Sequence, residues 1–148
     1  MICNYEINED TYAIISEGDY SRVIENNSEY IIQSKSIDIM EHSCRYFGSS
    51  YLGRETGTKY ITGMNNKVPI CVNDDIIFFP TSSPRNLDCC FLAFDKIKAI
   101  EKVSCSETRV IFFNDKAILL PFSYRSLNNQ IIRSFRLSYL IKSHCQNT

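Results

Sequence analysis

Gly48 and Gly53, with a cation directly behind the second, are the first place in this chain where residue type and spacing point to chemistry. G-x-x-x-x-G is the spacing of a phosphate-cradling loop. That loop closes on Lys and then Ser or Thr, so that an ammonium reaches the terminal phosphates and a hydroxyl holds magnesium. Here the closing pair is Arg54-Glu55, and Glu55 would put a carboxylate where the phosphates must sit. The neighbours are also wrong, because such a loop follows a strand and this one follows what reads as a helix. These departures exclude nucleotide hydrolysis.

The remaining reactive side chains assemble no better. Asp38 and His42 are i, i+4 neighbours on the helix expected there, but an oriented imidazole needs a nucleophile on its own face, and Cys44 projects from the apolar side. The second histidine, His144, falls in the C-terminal tail. There is no C-x-x-C, and His42-Ser43-Cys44 offers two ligands without a matching pair. The seven cysteines are odd in number and include the adjacent Cys89-Cys90. They read as small buried hydrophobes kept reduced, not as a disulfide framework. The expectation is a protein without catalysis, cofactor or metal.

Two basic regions remain. Between Arg45 and Lys67, Arg45, Arg54, Lys59 and Lys67 alternate with Tyr46, Tyr51 and Tyr60, and with the hydroxyls of Ser49, Ser50, Thr56 and Thr58. Guanidinium forks, hydroxyls and glycine backbone grip phosphates and reach into a narrow minor groove. The plain alternative is a turn-rich loop whose tyrosines pack on a sheet. Further on, Arg125, Asn129, Arg133 and Arg136 stand at i, i+4, i+8 and i+11, within a sector of about 80° at 100° per residue. Leu127, Ile131 and Phe135 fall in another sector, suited to packing. Three guanidiniums without an interleaved carboxylate do little for helix stability and suit docking on phosphates. A solvated helix face is the plain alternative here too.

The elements that must carry these residues read as α+β: a largely antiparallel sheet system with one internal helix (about 36–47) and a long C-terminal helix (about 124–142). Strands are expected at Tyr5–Ile7, Thr11–Ser16, Tyr20–Ile24 and Glu29–Gln33. Ser36 is placed to cap the internal helix, whose apolar stripe is Ile37, Met40, Cys44 and Phe47, and Gly48 to end it. The Gly53–Gly57 region reads as a loop leading into a strand at Lys59–Thr62. Further strands fall at Pro69–Val72, Ile76–Phe79, Phe91–Phe94, Ile97–Val103, Thr108–Phe113 and Lys116–Leu120, the last two joined by a two-residue Asn114-Asp115 turn. Ser123 or Ser126 caps the last helix.

At 148 residues this is one domain, 1–148. A composition 44% hydrophobic and 22% charged argues for a packed core and against disorder. No apolar run suits a membrane span, and the first residues lack the pattern of a signal peptide, so the expected compartment is the cytoplasm. The net charge of −1 is unevenly spread. Residues 1–41 hold nine acids against two bases, residues 42–72 four bases against one acid, and residues 116–148 five bases and no acid. Such asymmetry can mark a nucleic-acid face.

On these residues the chain resembles the ComK competence transcription factors. The resemblance rests first on Ser43-Cys44-Arg45-Tyr46-Phe47-Gly48-Ser49-Ser50-Tyr51, continued by Gly53-Arg54 and Gly57-Thr58. It extends to Pro69-Ile70, to Ile76–Pro80, and to Leu120-Pro121-Phe122-Ser123-Tyr124 with Asn129-Gln130 and Arg133, and runs from about Tyr5 to Leu140. It implies a bacterial, cytoplasmic activator of DNA-uptake genes that binds double-stranded promoter DNA at paired A/T-rich boxes through the minor groove. It also implies a homo-oligomer, a dimer that pairs on the promoter. Long members of that family continue into a tail with an adaptor-recognition motif, whereas this sequence stops at Thr148. The expectation is therefore a short member, acting weakly or modulating a longer paralogue. The DNA-binding residues expected are Arg45, Ser49, Ser50, Tyr51, Arg54, Lys59, Arg125, Asn129, Arg133 and Arg136. The rival reading is a protein-interaction module that docks its basic C-terminal helix on an acidic partner.

Overall fold

A computed structural model describes the backbone of residues 4–146 and side chains as far as residue 143. Cys3 and the side chains of His144 and Cys145 lie outside the described residues. Nine strands and three helices follow in the order β1 (Thr11–Glu17), β2 (Tyr20–Glu25), β3 (Glu29–Ile32), α1 (Ser36–Tyr46), α2 (Tyr51–Thr62), β4 (Ile70–Asn73), β5 (Ile76–Pro80), β6 (Phe91–Ala93), β7 (Ile97–Lys102), β8 (Thr108–Phe112), β9 (Ala117–Leu120) and α3 (Tyr124–Gln146). A single 3₁₀ turn, Phe94–Lys96, joins β6 to β7.

The first six strands form one antiparallel sheet in the order β3-β2-β1-β6-β5-β4, and β7-β8-β9 form a second. The larger sheet is the middle layer, which explains why β5 and β6 read as unbroken apolar runs: both of their faces are buried. Ile76, Phe78, Phe91 and Ala93 point to one side, with Ile39, Met40 and Cys44 of α1 and Tyr51 of α2. Ile77, Phe79 and Leu92 point to the other, with Val110, Phe112 and Leu120 of the small sheet and Leu127 and Leu137 of α3. The α+β class, the internal helix and the long terminal helix are as expected.

Several local expectations change. Tyr5–Ile7 forms no strand; the Ile7 N–H instead donates to the buried Ser43 Oγ at 3.0 Å, pinning the segment to α1. The N-cap of α1 is Lys35, without a side-chain cap bond, because the Ser36 hydroxyl turns inward to donate to the Cys89 carbonyl at 2.7 Å. The β8–β9 connection is a three-residue loop in which Asp115 is left-handed (φ 68°), the geometry of a turn followed by a bulge. On α3 the buried stripe is Leu127, Gln130, Ser134 and Leu137; Ile131 is only partly covered, and Phe135 is 60% exposed, resting edge-on against Phe94 at 5.1 Å. Ser123 is the cap, its hydroxyl accepting the Ser126 N–H at 3.2 Å. Cys44, Cys89 and Cys90 are buried and Cys71 half-buried, but Cys105 is exposed.

The largest correction concerns Gly53–Thr62. The expected loop and strand are a helix, α2, so there are two internal helices. It forms despite two glycines because both of its ends are fixed. Ser50 caps it by accepting the Gly53 N–H at 3.0 Å, and Gly63 ends it in the left-handed conformation (φ 75°). Between them, the Thr58 hydroxyl donates to the Pro69 carbonyl at 2.9 Å and ties α2 to the start of β4.

Candidate nucleic-acid interface

The junction between α1 and α2 is where the glycine-spaced stretch lies. Gly48 has φ 89°, its N–H donates to the Arg45 carbonyl, and the Ser49 N–H donates to the Cys44 carbonyl, both at 3.0 Å. This is the left-handed helix ending that glycine adopts without strain. Three residues after Gly48, the start of α2 binds an oxyanion, as helix N-termini do. That anion is the protein's own. Glu41 Oε2 accepts the Tyr51 N–H at 2.7 Å, and its Oε1 accepts Arg45 Nε at 2.7 Å. Desolvation pushes the Glu41 carboxyl up, but the Tyr51 N–H and the Arg45 guanidinium outweigh it and hold the group below the ordinary carboxylate range.

The junction therefore uses many of the groups the sequence singled out. Arg45 is ion-paired to Glu41. Ser50 is the cap. Tyr51 is buried and meets Phe91 edge-on at 6.2 Å. Arg54 is half-buried and donates from Nη2 to the Phe47 carbonyl at 3.3 Å, while its Nε is buried without an acceptor. A Cβ at Gly53 would stand 2.8 Å from Ser49 Oγ and 3.1 Å from the capping Ser50 Oγ, so a side chain here would displace these hydroxyls.

Solvent-facing cations gather elsewhere. A cleft of about 780 Å³ opens between the start of α1, one side of α2 and the loops at residues 65–67 and 83–87. Lys35, Lys59, Lys67 and Arg85 line it, against one acid, Glu55, which lies 3.8 Å from Lys59. A second depression of about 390 Å³ is lined by Ser126, Asn129, Gln130 and Arg133 of α3. The two share one wall, Asn65-Asn66-Lys67. The two basic regions, distant in sequence, thus meet at this segment.

That wall is held rigidly. Gln130, 2% exposed, donates through Nε2 to the Lys67 carbonyl at 2.8 Å and to the Pro80 carbonyl at 2.7 Å. Its Oε1 accepts Arg133 Nη1 at 2.6 Å. Arg133 also donates to the Lys67 carbonyl at 3.2 Å and the Asn66 carbonyl at 2.6 Å. These bonds hold Lys67 at φ 49°, a left-handed conformation costing a non-glycine residue about 1–3 kcal/mol. Burial pulls the Arg133 pKa below the usual guanidinium value. Arg125 and Arg136 are exposed and form no ion pair among the described residues, and Asn129 is exposed beside the second depression.

Of the ten residues expected at the site, Lys59, Asn129 and Arg133 border the shared wall, and Arg125 and Arg136 face solvent on α3. Arg45, Ser50, Tyr51 and Arg54 are engaged in the junction, where Ser49 also lies. Sequence reasoning missed Lys35, Arg85, Asn65 and Asn66. The Asn-Asn pair just beyond Gly63 signals a turn, but only the tertiary fold brings Lys35 and Arg85 opposite it. Burial pushes the Cys44, Cys71 and Cys90 thiols up to about 11, so these three stay protonated at neutral pH. His42 faces Glu6 at 3.4 Å, not Asp38. Among the described residues no helix is long and apolar enough to cross a membrane, and no group of three or more His, Cys, Asp or Glu side chains could hold a metal ion.

Two helices packed on a large antiparallel sheet and two depressions that share one wall frame the site. The family of the chain follows from comparison. The family model described as "ComK protein" matches residues 2–146, so the chain belongs to the ComK family. It is 36% identical over 137 residues, 88% of this chain and 71% of the relative, to the protein of Bacillus subtilis (strain 168) named "Competence transcription factor". No solved structure matches it.

Proposed function

We propose that this protein is a DNA-binding transcriptional regulator of competence genes that recognises paired A/T-rich boxes in promoter DNA through the minor groove. One observation carries the reading: a chain of net charge −1 concentrates cations and amides on one face, where two basic segments far apart in sequence converge on the wall at residues 65–67. Family membership supplies the transcriptional role. Lys59, Arg125, Asn129 and Arg136, with Lys35, Lys67 and Arg85, contact the DNA. Arg45, Ser49, Ser50, Tyr51 and Arg54 shape the α1–α2 junction that presents α2, and Arg133 holds the shared wall. The protein works in the bacterial cytoplasm without catalysis, cofactor or metal.

It acts as a homo-oligomer, a dimer that pairs on adjacent boxes. An exposed apolar stripe on α3 supports self-association: Ile132, Phe135 and Tyr139, the last 69% exposed, lie alongside Arg133 and Arg136. The same stripe favours the second reading, a protein-interaction module without sequence-specific DNA binding. A mobility shift with A/T-box duplex against scrambled duplex of equal length separates the two. Preference for the box supports the regulator; equal affinity for both, or none for either, rules it out.

A further inference from the structure

We infer that Asn65-Asn66-Lys67 is the element that reads the base edges, and that Gln130 and Arg133 are positioning residues that lock it. The inference rests on the proposed DNA-binding function and assigns the segment that performs it.

Three observations meet at this segment. All three side chains are exposed and, among the described residues, have no partner, although the Asn66 and Lys67 carbonyls beneath them accept three side-chain hydrogen bonds. The backbone is strained at Lys67 (φ 49°), and strain of this kind persists only where the surroundings over-determine it. Here Gln130 and Arg133 supply three hydrogen bonds to two consecutive carbonyls, and Gly63 with Thr62 fixes the approach, the Met64 N–H donating to Thr62 Oγ1 at 3.1 Å. Finally, the segment is a ridge between two depressions, one lined by Lys35, Lys59 and Arg85 and the other by Asn129.

A ridge flanked by two polar troughs matches the cross-section of a duplex groove with its two phosphate strands. The ridge enters the groove and each trough receives a backbone. The ridge chemistry fits the minor groove of A/T sequence. There the exposed groups are the adenine N3 and thymine O2 acceptors, which amide N–H groups satisfy, whereas guanine adds an amino donor that opposes them. The Lys67 ammonium suits the deep negative potential of a narrow groove. Arg133 spends its donors on carbonyls, so its contribution passes through the shape of the ridge and not through a phosphate.

Affinity titrations of box and scrambled duplexes across a salt series, on wild type and three variants, test this. The Asn65→Ala/Asn66→Ala double variant loses only exposed, unbonded groups, so it folds. Its box-over-scrambled ratio falls by about tenfold or more, with an unchanged salt slope. Lys67→Gly accepts the left-handed φ freely and lowers the slope by about 0.9 on both duplexes. Arg133→Gln loses the ratio while keeping the slope, a pattern a phosphate contact would reverse. A double variant with the wild-type ratio overturns the inference, as does Arg133→Gln with a lower slope and an intact ratio. Wild-type protein that fails to discriminate defeats the proposed function and this inference together. Wild type that discriminates beside a double variant that discriminates equally defeats the inference alone.

Discussion

Single side chains divide into cations whose donors are used within the chain and cations that face solvent. Arg54 belongs to the first group; Arg45 and Lys59 each meet one carboxylate a helical turn away yet stay exposed, although all three have the same charge and lie within fifteen residues. Lys59→Ala should therefore weaken binding on every duplex and reduce the salt slope by about 0.9, while Arg54→Ala leaves the slope unchanged. Equal slopes for the two variants would mean that the Phe47 carbonyl does not hold Arg54 away from DNA. Residue types were legible in the sequence; their commitments were not. A guanidinium at position 54 reads the same whether it meets a phosphate or the Phe47 carbonyl, and Gln130 gives no sign of the two bonds it forms across the fold.

Elements show where local propensity loses to context. Helix α2 carries Gly53 and Gly57, each unfavourable by about 1 kcal/mol, and the β-branched Thr56, Thr58, Ile61 and Thr62, so its sequence suggests a loop and a strand. The Ser50 cap, the Glu41 carboxylate and the Gly63 ending act together to overcome that preference, and Glu41 lies ten residues from the N–H it accepts. At Gly57 a Cβ meets nothing within 4 Å. Gly57→Ala should stabilise the protein by about 0.5–1 kcal/mol and raise Tm by a few degrees in a thermal melt. An unchanged or lower Tm would show that α2 needs flexibility there. Glu41 adds a pH dependence. Its folded carboxyl lies below the ordinary value of 4.5, so its stabilisation is fully present above that pH and is lost as pH falls through the depressed value. Glu41→Gln should remove this part of the acid transition, read as a smaller loss of stability between neutral pH and pH 3. By contrast α1 and α3 were legible as helices from their apolar spacing, although Ser36 does not cap α1 and the buried face of α3 runs through Gln130 and Ser134 instead of Ile131 and Phe135.

For the whole molecule, the strands were legible one by one, but the layers were not. Unbroken apolar runs at Ile76–Phe79 and Phe91–Phe94 mark doubly covered strands, yet nothing local says that β6 pairs with β1 across nearly eighty residues. That pairing makes the six-stranded sheet continuous, with α1 and α2 on one face and α3 on the other. Leu127 is fully buried where α3 meets both sheets. Leu127→Ala should cost about 2–5 kcal/mol in denaturant unfolding and loosen both depressions together; a cost below 1 kcal/mol would mean that α3 is not integral to the core. The central claim is that this near-neutral chain binds DNA through one concentrated face and discriminates by sequence at its ridge. The most direct test is the affinity of wild-type protein for A/T-box and scrambled duplexes, plotted against salt on logarithmic axes. Two parallel, steeply falling lines with the box line above are predicted: the common slope counts shared phosphate contacts and the offset measures reading of the bases. Coincident lines, or binding indifferent to salt, would contradict it.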